Sequence, residues 1–95
     1  MNITSITLST GQTLNIGDTF YFVHPEYHDG TIEEYVVDSF WPGDPQYGHR
    51  IRFACSGPTG WSFVYQEFFE RANPTCFIRY DDAKHQADNQ LYSTH

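Results

Sequence analysis

Alternating apolar and polar positions predict a series of short β-strands along this chain. The clearest case is residues 49–55, where Ile51, Phe53 and Cys55 point to one side and two arginines point to the other. A strand with this pattern is buried on one face and exposed to water on the other. Turn-forming residues separate the candidate strands from one another. The predicted strands cover residues 3–8, 13–16, 19–23, 31–41, 49–55, 61–65 and 75–80.

The longest predicted strand, residues 31–41, has no clean apolar face. One parity combines Val36 and Phe40 with acidic residues, and the other combines Tyr35 and Val37 with polar residues. An extra residue in a strand reverses the direction of the side chains that follow it, so this mismatch predicts a β-bulge or a strong bend within the strand.

Two helical segments are predicted in the C-terminal half. Residues 67–72 form one short turn before Asn73-Pro74. Asp81 is expected to cap a terminal helix over about residues 81–92, since Ala83, Ala87 and Leu91 recur at four-residue spacing. We therefore predict a single all-β to α+β domain that covers residues 1–95.

Two features carry a resemblance to known proteins. The turn Ile16-Gly17-Asp18, which leads into an aromatic strand, resembles the entry of KOW- or Tudor-type SH3-like barrels. The segment from Gly11 to Tyr21 and the acidic helix start between Phe77 and Ala83 are similar to small phage-encoded proteins. The resemblance implies a small SH3-like β-barrel of five or six short antiparallel strands with a C-terminal helix. Such barrels carry many unrelated functions, so it implies a fold more than an activity.

The charge of the chain limits the classes of partner that it can bind. The 95 residues carry a net charge of −7, and residues 1–49 contain seven acidic side chains and no Lys or Arg. Binding to DNA, RNA or an anionic membrane depends on Lys and Arg that neutralise phosphates, so direct binding of nucleic acid or membrane is not expected. The start of the chain lacks the pattern of a signal peptide, and we expect a cytoplasmic protein, in the host cytoplasm if it is phage-encoded.

Catalytic and metal-binding patterns are weak. Cys55 and Cys76 are expected to be reduced and buried, and burial raises the pKa of a thiol and makes it inert. The segment with His24, Glu26, His28 and Asp29 has ligand-type residues, but its proline and turn residues favour a solvated loop. We predict no enzyme activity, no cofactor and no metal.

Aromatic residues are the more informative feature. The chain contains 17 of them, and a small barrel has room inside for only a fraction. Exposed Tyr and Trp are typical of protein-binding surfaces. By alternation, the expected core consists of Phe20, Phe22, Phe53, Phe63 and Phe77, and the expected exposed or rim set consists of Tyr21, Tyr27, Tyr35, Trp41, Tyr47 and Trp61.

The leading hypothesis is a non-enzymatic binding module, encoded by a phage or mobile element, that inhibits or redirects a host protein with a basic surface. Defence proteins and nucleic-acid-handling proteins are the expected targets, because an acidic aromatic face complements their basic grooves. The predicted partner-binding residues are Glu33, Glu34, Tyr35, Asp38, Trp41, Asp44 and Tyr47.

The alternatives are an oligomeric small-molecule or nucleotide sponge and a structural component. In the first, aromatic rings stack on a base and three arginines meet the phosphates. The ordinary role of those arginines is pairing with acidic residues. A homodimer or higher homo-oligomer is left open, since exposed apolar surface often marks contacts between copies. The candidate anion-binding residues are Arg50, Arg52 and Arg79.

Overall fold

The computed structural model describes residues 3–26, 28–42 and 51–92, and these ranges form two sheets and two helices. The elements follow the predicted order, with strands first and the longer helix last. They are β1 (Ser5–Thr7), β2 (Thr13–Asn15), β3 (Thr19–Phe22), β4 (Glu33–Pro42), β5 (Ile51–Gly57), β6 (Gly60–Tyr65), α1 (Glu67–Glu70), β7 (Cys76–Phe77) and α2 (Tyr80–Tyr92).

The main sheet has five antiparallel strands in the order β6-β5-β4-β3-β7. Consecutive strands β3 to β6 are neighbours, and the chain then returns through α1 so that β7 pairs with β3. The predicted β-rich fold with a C-terminal helix is confirmed. Among the described residues the sheet is open, with β6 at one edge and β7 at the other.

The first two predicted strands pair with each other as an antiparallel hairpin. In the antiparallel register Ile6 is opposite Leu14, and both side chains are buried. Gly17 then turns the chain into β3 with a φ of 90°, a conformation that glycine adopts without steric cost. Its N–H donates to the carbonyl of Val37 at 2.9 Å, which fixes the hairpin against the middle of β4.

The bulge predicted in the longest strand is confirmed. Val37 pairs with Cys55 and Ser39 pairs with Ala54, so Asp38 is the extra residue of β4. Before the bulge the odd-numbered Tyr35 and Val37 are buried, and after it the even-numbered Phe40 is buried. The extra residue thus keeps apolar side chains on one face of the sheet along the whole strand.

That face, which we call the core face, carries a cluster of aromatic rings. Phe20 lies at its centre, with ring centroids 5.6 Å from Tyr35, 5.6 Å from Phe53 and 5.3 Å from Phe69. The β1–β2 hairpin and α1 contribute further buried side chains to this cluster, namely Ile6, Leu8, Leu14 and Phe69.

Three of the expected core positions differ from the prediction. Phe20 and Phe53 are fully buried, whereas Phe22 and Phe77 are half-buried and Phe63 is 39% exposed. Phe63 alternates correctly, but it points to the opposite side of the sheet from Val64, which is the buried neighbour. Periodicity identifies which residues share a face and leaves open which face is covered.

Helix α2 packs on the side of the sheet opposite the core face, which we call the outer face. Ala83 and Ala87 are buried against Val23, as predicted from their spacing, whereas Leu91 is 38% exposed. The expected cap is wrong: the helix begins at Tyr80, so Asp81 lies inside its first turn. The predicted last strand shortens to Cys76–Phe77, because the residues after it turn into α2.

No helix in the described ranges is long and apolar enough to cross a membrane.

Candidate functional site: the outer face of strands β4, β5 and β6

Only part of the outer face is covered by α2. The helix packs over the β3 and β7 end, where Tyr21 and Phe77 are half-buried beside it. At the β4, β5 and β6 end, large apolar side chains stay exposed. We call this exposed group the aromatic patch; it consists of Val36 (39% exposed), Trp41 (49%), Trp61 (70%) and Phe63 (39%).

The strand register places the patch residues on one surface. Trp41 lies opposite Arg52 on β5, and Arg52 lies opposite Tyr65 on β6. At the other end of the patch, Val36 lies opposite Ser56, which lies opposite Trp61. Side chains directly opposite one another in antiparallel strands point to the same face, so these rows form a continuous surface.

The rings at the β6 side contact one another and a cation. Trp61 meets Phe63 edge to face, with ring centroids 5.3 Å apart. The guanidinium carbon of Arg52 lies 4.8 Å from the centroid of the Phe63 ring, within the range of a cation–π interaction. Arg52 Nε is buried and makes no hydrogen bond to any other described residue. The Phe63 ring therefore lies against this guanidinium on the outer face.

Two carboxylates flank the patch on β4. Glu34 is exposed and lies on the outer face with Val36, because both have the same parity before the bulge. Asp38 is exposed at the bulge itself, and its Oδ2 accepts a hydrogen bond of 2.6 Å from the Ser56 hydroxyl. The β4 side of the patch is therefore acidic. The cation described on this face, Arg52, lies on β5 opposite Trp41.

The predicted partner-binding residues divide into three groups. Glu34, Asp38 and Trp41 are all exposed on β4, but they are spread along the strand, with Glu34 and Trp41 seven residues apart. Glu33 is half-buried and lies opposite Phe22, on the core side of β4. The predictions for Asp44 and Tyr47 lie outside the described residues.

The expected exposure of Tyr35 is wrong. Its side chain is only 9% exposed and stacks on Phe20 in the core. Burial, followed by the negative charge of Glu33, raises the pKa of the Tyr35 hydroxyl above its usual value. Tyr35 therefore stabilises the fold beneath the patch, and a partner on the outer face would not contact it.

Two patch residues do not belong to the predicted partner-binding set. The sequence predicts Trp61 at the rim and Phe63 in the core. The sequence signal for both was the alternation of Trp61, Phe63 and Tyr65, which places three aromatic side chains on the same face of one strand. A covered face and an open face give the same alternation.

The candidate anion-binding arginines do not form one cluster among the described residues. Arg52 is on β5 under the Phe63 ring. Arg79 directly precedes α2, and its guanidinium lies 4.0 Å from a carboxylate oxygen of Asp81. Strands β5 and β7 are separated by two further strands, about 14 Å across the sheet. Arg50 lies outside the described residues.

The loop that contains His24 and His28 is hydrogen-bonded to α2 and does not enclose a metal site among the described residues. His28 Nδ1 lies 2.8 Å from the Gln90 carbonyl oxygen, and the Gln90 side chain donates to the His24 carbonyl at 2.9 Å. Asp29 accepts hydrogen bonds from Thr31, which lower the pKa of its carboxyl group. Within the described ranges, no group of three or more His, Cys, Asp or Glu side chains could hold a metal ion.

Both cysteines are free and buried, as predicted. Burial raises the pKa of Cys55 to about 11, and its Sγ donates to the Ser62 carbonyl at 3.4 Å. Burial raises the pKa of Cys76 still further. Both thiols stay protonated at neutral pH, and a protonated thiol is a poor nucleophile.

No protein-family model, curated protein or solved structure matches this chain.

Proposed function

We propose that this chain is a non-enzymatic binding module whose aromatic patch docks on a partner protein with a basic surface. The observation that carries the proposal is the exposure of Trp41, Trp61 and Phe63 on the half of the outer face that α2 leaves open. Large rings with this exposure favour binding, because they bury much apolar area on contact at a small cost in side-chain entropy.

Charge selects the kind of partner. Glu34 and Asp38 flank the rings, and residues 1–49 contain no Lys or Arg. Lys or Arg side chains of a partner can pair with these carboxylates and lie over the faces of Trp41 and Trp61. Like-charge repulsion disfavours an acidic partner at the same place. The basic partner is therefore the one that the patch accommodates best.

The proposal includes an SH3-like barrel fold for the strands and a phage or mobile-element source for the chain. Support for the first comes from connectivity: antiparallel strands follow one another from β3 to β6, a helical turn follows, and β7 pairs back with β3. The second rests on the resemblance of the Gly11–Tyr21 and Phe77–Ala83 segments, and it makes bacterial lysate the source in which to look for the partner.

A charge-matched capture experiment tests the proposal. The immobilised chain is incubated with bacterial lysate, and bound proteins are identified by mass spectrometry. The test variant carries Glu34→Lys and Asp38→Lys, and the control variant carries Glu26→Lys and Asp81→Lys, which change the same charge at exposed positions off the patch. Circular dichroism establishes that both variants fold.

We expect the wild-type chain and the control variant to retain the same protein with a basic surface and the test variant to lose it. A test variant that retains the partner as well as the control does would contradict the proposal. Retention of no protein by the wild-type chain, or of an acidic protein by all three, would contradict it too.

A further inference from the structure

The two edges of the main sheet differ in how they are protected. Strand β7 has two residues, and Phe77 packs beside α2. Strand β6 has six residues, Gly60–Tyr65, and contains no charged residue and no proline. Exposed edge strands are usually protected by short length, charge, proline or a covering element, because their free backbone groups can pair with another chain. Among the described elements, β6 has none of these protections.

The hydrogen-bond register shows which backbone groups face the open edge. The Gln66 N–H donates to the Ile51 carbonyl at 2.9 Å, which makes residues 51 and 66 a hydrogen-bonded pair. Such pairs alternate with non-hydrogen-bonded pairs along an antiparallel ladder. Residues 64 and 62 therefore bond to β5, whereas Trp61 and Phe63 lie in non-hydrogen-bonded pairs. Their N–H and C=O groups point away from β5.

We propose that β6 pairs with β6 of a second copy of this chain to form a symmetric antiparallel dimer. With the two-fold axis at Ser62, Trp61 of one copy lies opposite Phe63 of the other, and each such pair can exchange two backbone hydrogen bonds. All four rings then lie on the same face, where cross-strand aromatic pairs stabilise a sheet. The two five-stranded sheets become one continuous sheet.

A second copy fits this edge better than a charged partner does. The contact strand is uncharged, so pairing brings no like charges together despite the net charge of −7. The acidic Glu34 and Asp38 are on β4, about 10 Å from the edge because two strand spacings intervene. Among the described strands of the main sheet, β6 is the one long edge, so the pairing closes at a dimer instead of continuing into a fibre.

The dimer proposal goes beyond the binding function, because it does not depend on the identity of any partner. It also gives a consequence for the aromatic patch. Trp61 and Phe63 of both copies become neighbours, and the two patches join into one surface across the dimer axis. The rings on β6 are then shared between the copies, and Trp41, on β4, stays at the outer end of each half.

Sedimentation equilibrium of the full chain at moderate salt tests the proposal. Between micromolar and submillimolar concentration, we expect the wild-type mass to rise to twice 11.1 kDa. Trp61→Lys should weaken dimerisation at least tenfold, because it introduces two like charges beside the axis. Trp41→Lys is the matched control: it makes the same substitution on the same face, two strands from the edge, and the dimer should persist.

Three results would overturn the proposal. One is a wild-type chain that stays monomeric throughout this range; the second is a Trp61→Lys variant that dimerises as well as wild type. The third is a Trp41→Lys variant that loses the dimer to the same extent, since the contact would then be the face of the sheet and not its edge.

Amide hydrogen exchange of the wild-type chain gives a second measurement that needs no variant to fold. The N–H groups of Trp61 and Phe63 should be protected at high concentration and exchange rapidly on dilution. Rapid exchange of both amides at every concentration would also overturn the proposal, because unpaired edge amides are open to water.

Discussion

At the residue scale, Tyr35 and Gly57 form a close contact that could not be predicted from either residue type. The Tyr35 ring lies directly against the Cα of Gly57, so that a Cβ at position 57 would overlap the ring carbons. Gly57 does not have a positive φ, in contrast to Gly11, Gly17 and Gly60. The requirement for glycine at this position comes from space and not from backbone conformation.

We predict that Gly57→Ala lowers the free energy of unfolding by about 1–3 kcal/mol, because the Tyr35 ring is held by Phe20 and cannot move freely. In a Tyr35→Val background the same substitution should cost much less, since the overlapping ring is gone. Urea denaturation of the four proteins in this cycle measures the coupling. Equal costs in the two backgrounds would show that the overlap with Tyr35 does not determine the choice of glycine.

At the element scale, α2 depends on small side chains. Ala83 and Ala87 face the sheet and are almost completely buried against Val23, with Tyr21 and Phe77 beside them. A larger side chain on this stripe would push the helix away from the outer face. The acidic residues Asp81 and Asp82 lie in the first turn, where negative charge interacts favourably with the helix dipole.

We predict that Ala87→Leu lowers the free energy of unfolding by about 1–3 kcal/mol, because the additional carbons have no space between α2 and the sheet. Asn89→Leu, which introduces the same side chain at an exposed position of the same helix, should change stability by less than about 0.5 kcal/mol. Urea unfolding followed by circular dichroism compares them. Equal losses for both variants would mean that helix docking does not limit the size of residue 87.

At the scale of the whole molecule, uncompensated negative charge acts against the compact state. The net charge is −7, and the ion pairs among the described residues include exposed ones such as Lys84 with Asp88, 3.4 Å apart. Exposed pairs contribute little to stability. Repulsion among the remaining carboxylates is spread over the surface and is weakened by salt, because the Debye length shortens as ionic strength rises.

We predict that the midpoint temperature of unfolding, measured on dilute protein, rises as sodium chloride is increased from low to moderate concentration. A control variant with Glu26→Gln, Glu34→Gln and Asp81→Asn has its net charge reduced from −7 to −4 and should show a smaller rise. Differential scanning fluorimetry measures both. A midpoint that falls with salt, or an equal rise in the two proteins, would contradict a stability limited by net charge.

Much of the fold could be predicted from local pattern. The strands β1 and β2, the bulge in β4, the buried faces of Phe20 and Phe53 and the paired alanines of α2 each follow from the periodicity of the sequence or from a break in it. The first residue of α2 was harder to predict than these features. An acidic residue is favourable both as a helix cap and in the first turn, so Asp81 is compatible with either position.

The candidate site was less predictable, because it depends on which face is covered. Tyr35 and Phe63 illustrate this dependence. Both are aromatic and both lie in alternating strands, yet Tyr35 is buried and Phe63 is exposed. The position of α2 over one end of the outer face decides exposure there, and the helix is distant in sequence from β3, which it covers, and from β4, which carries Trp41.

The sequence by itself therefore determined the kinds of element, their order and the acidic character of the chain, since these depend on local periodicity and on counting charges. The tertiary structure decided that the open surface consists of Trp41, Trp61 and Phe63 beside Glu34 and Asp38 and that β6 is an edge. Both properties arise from the pairing and covering of segments far apart in the chain, which no local pattern encodes.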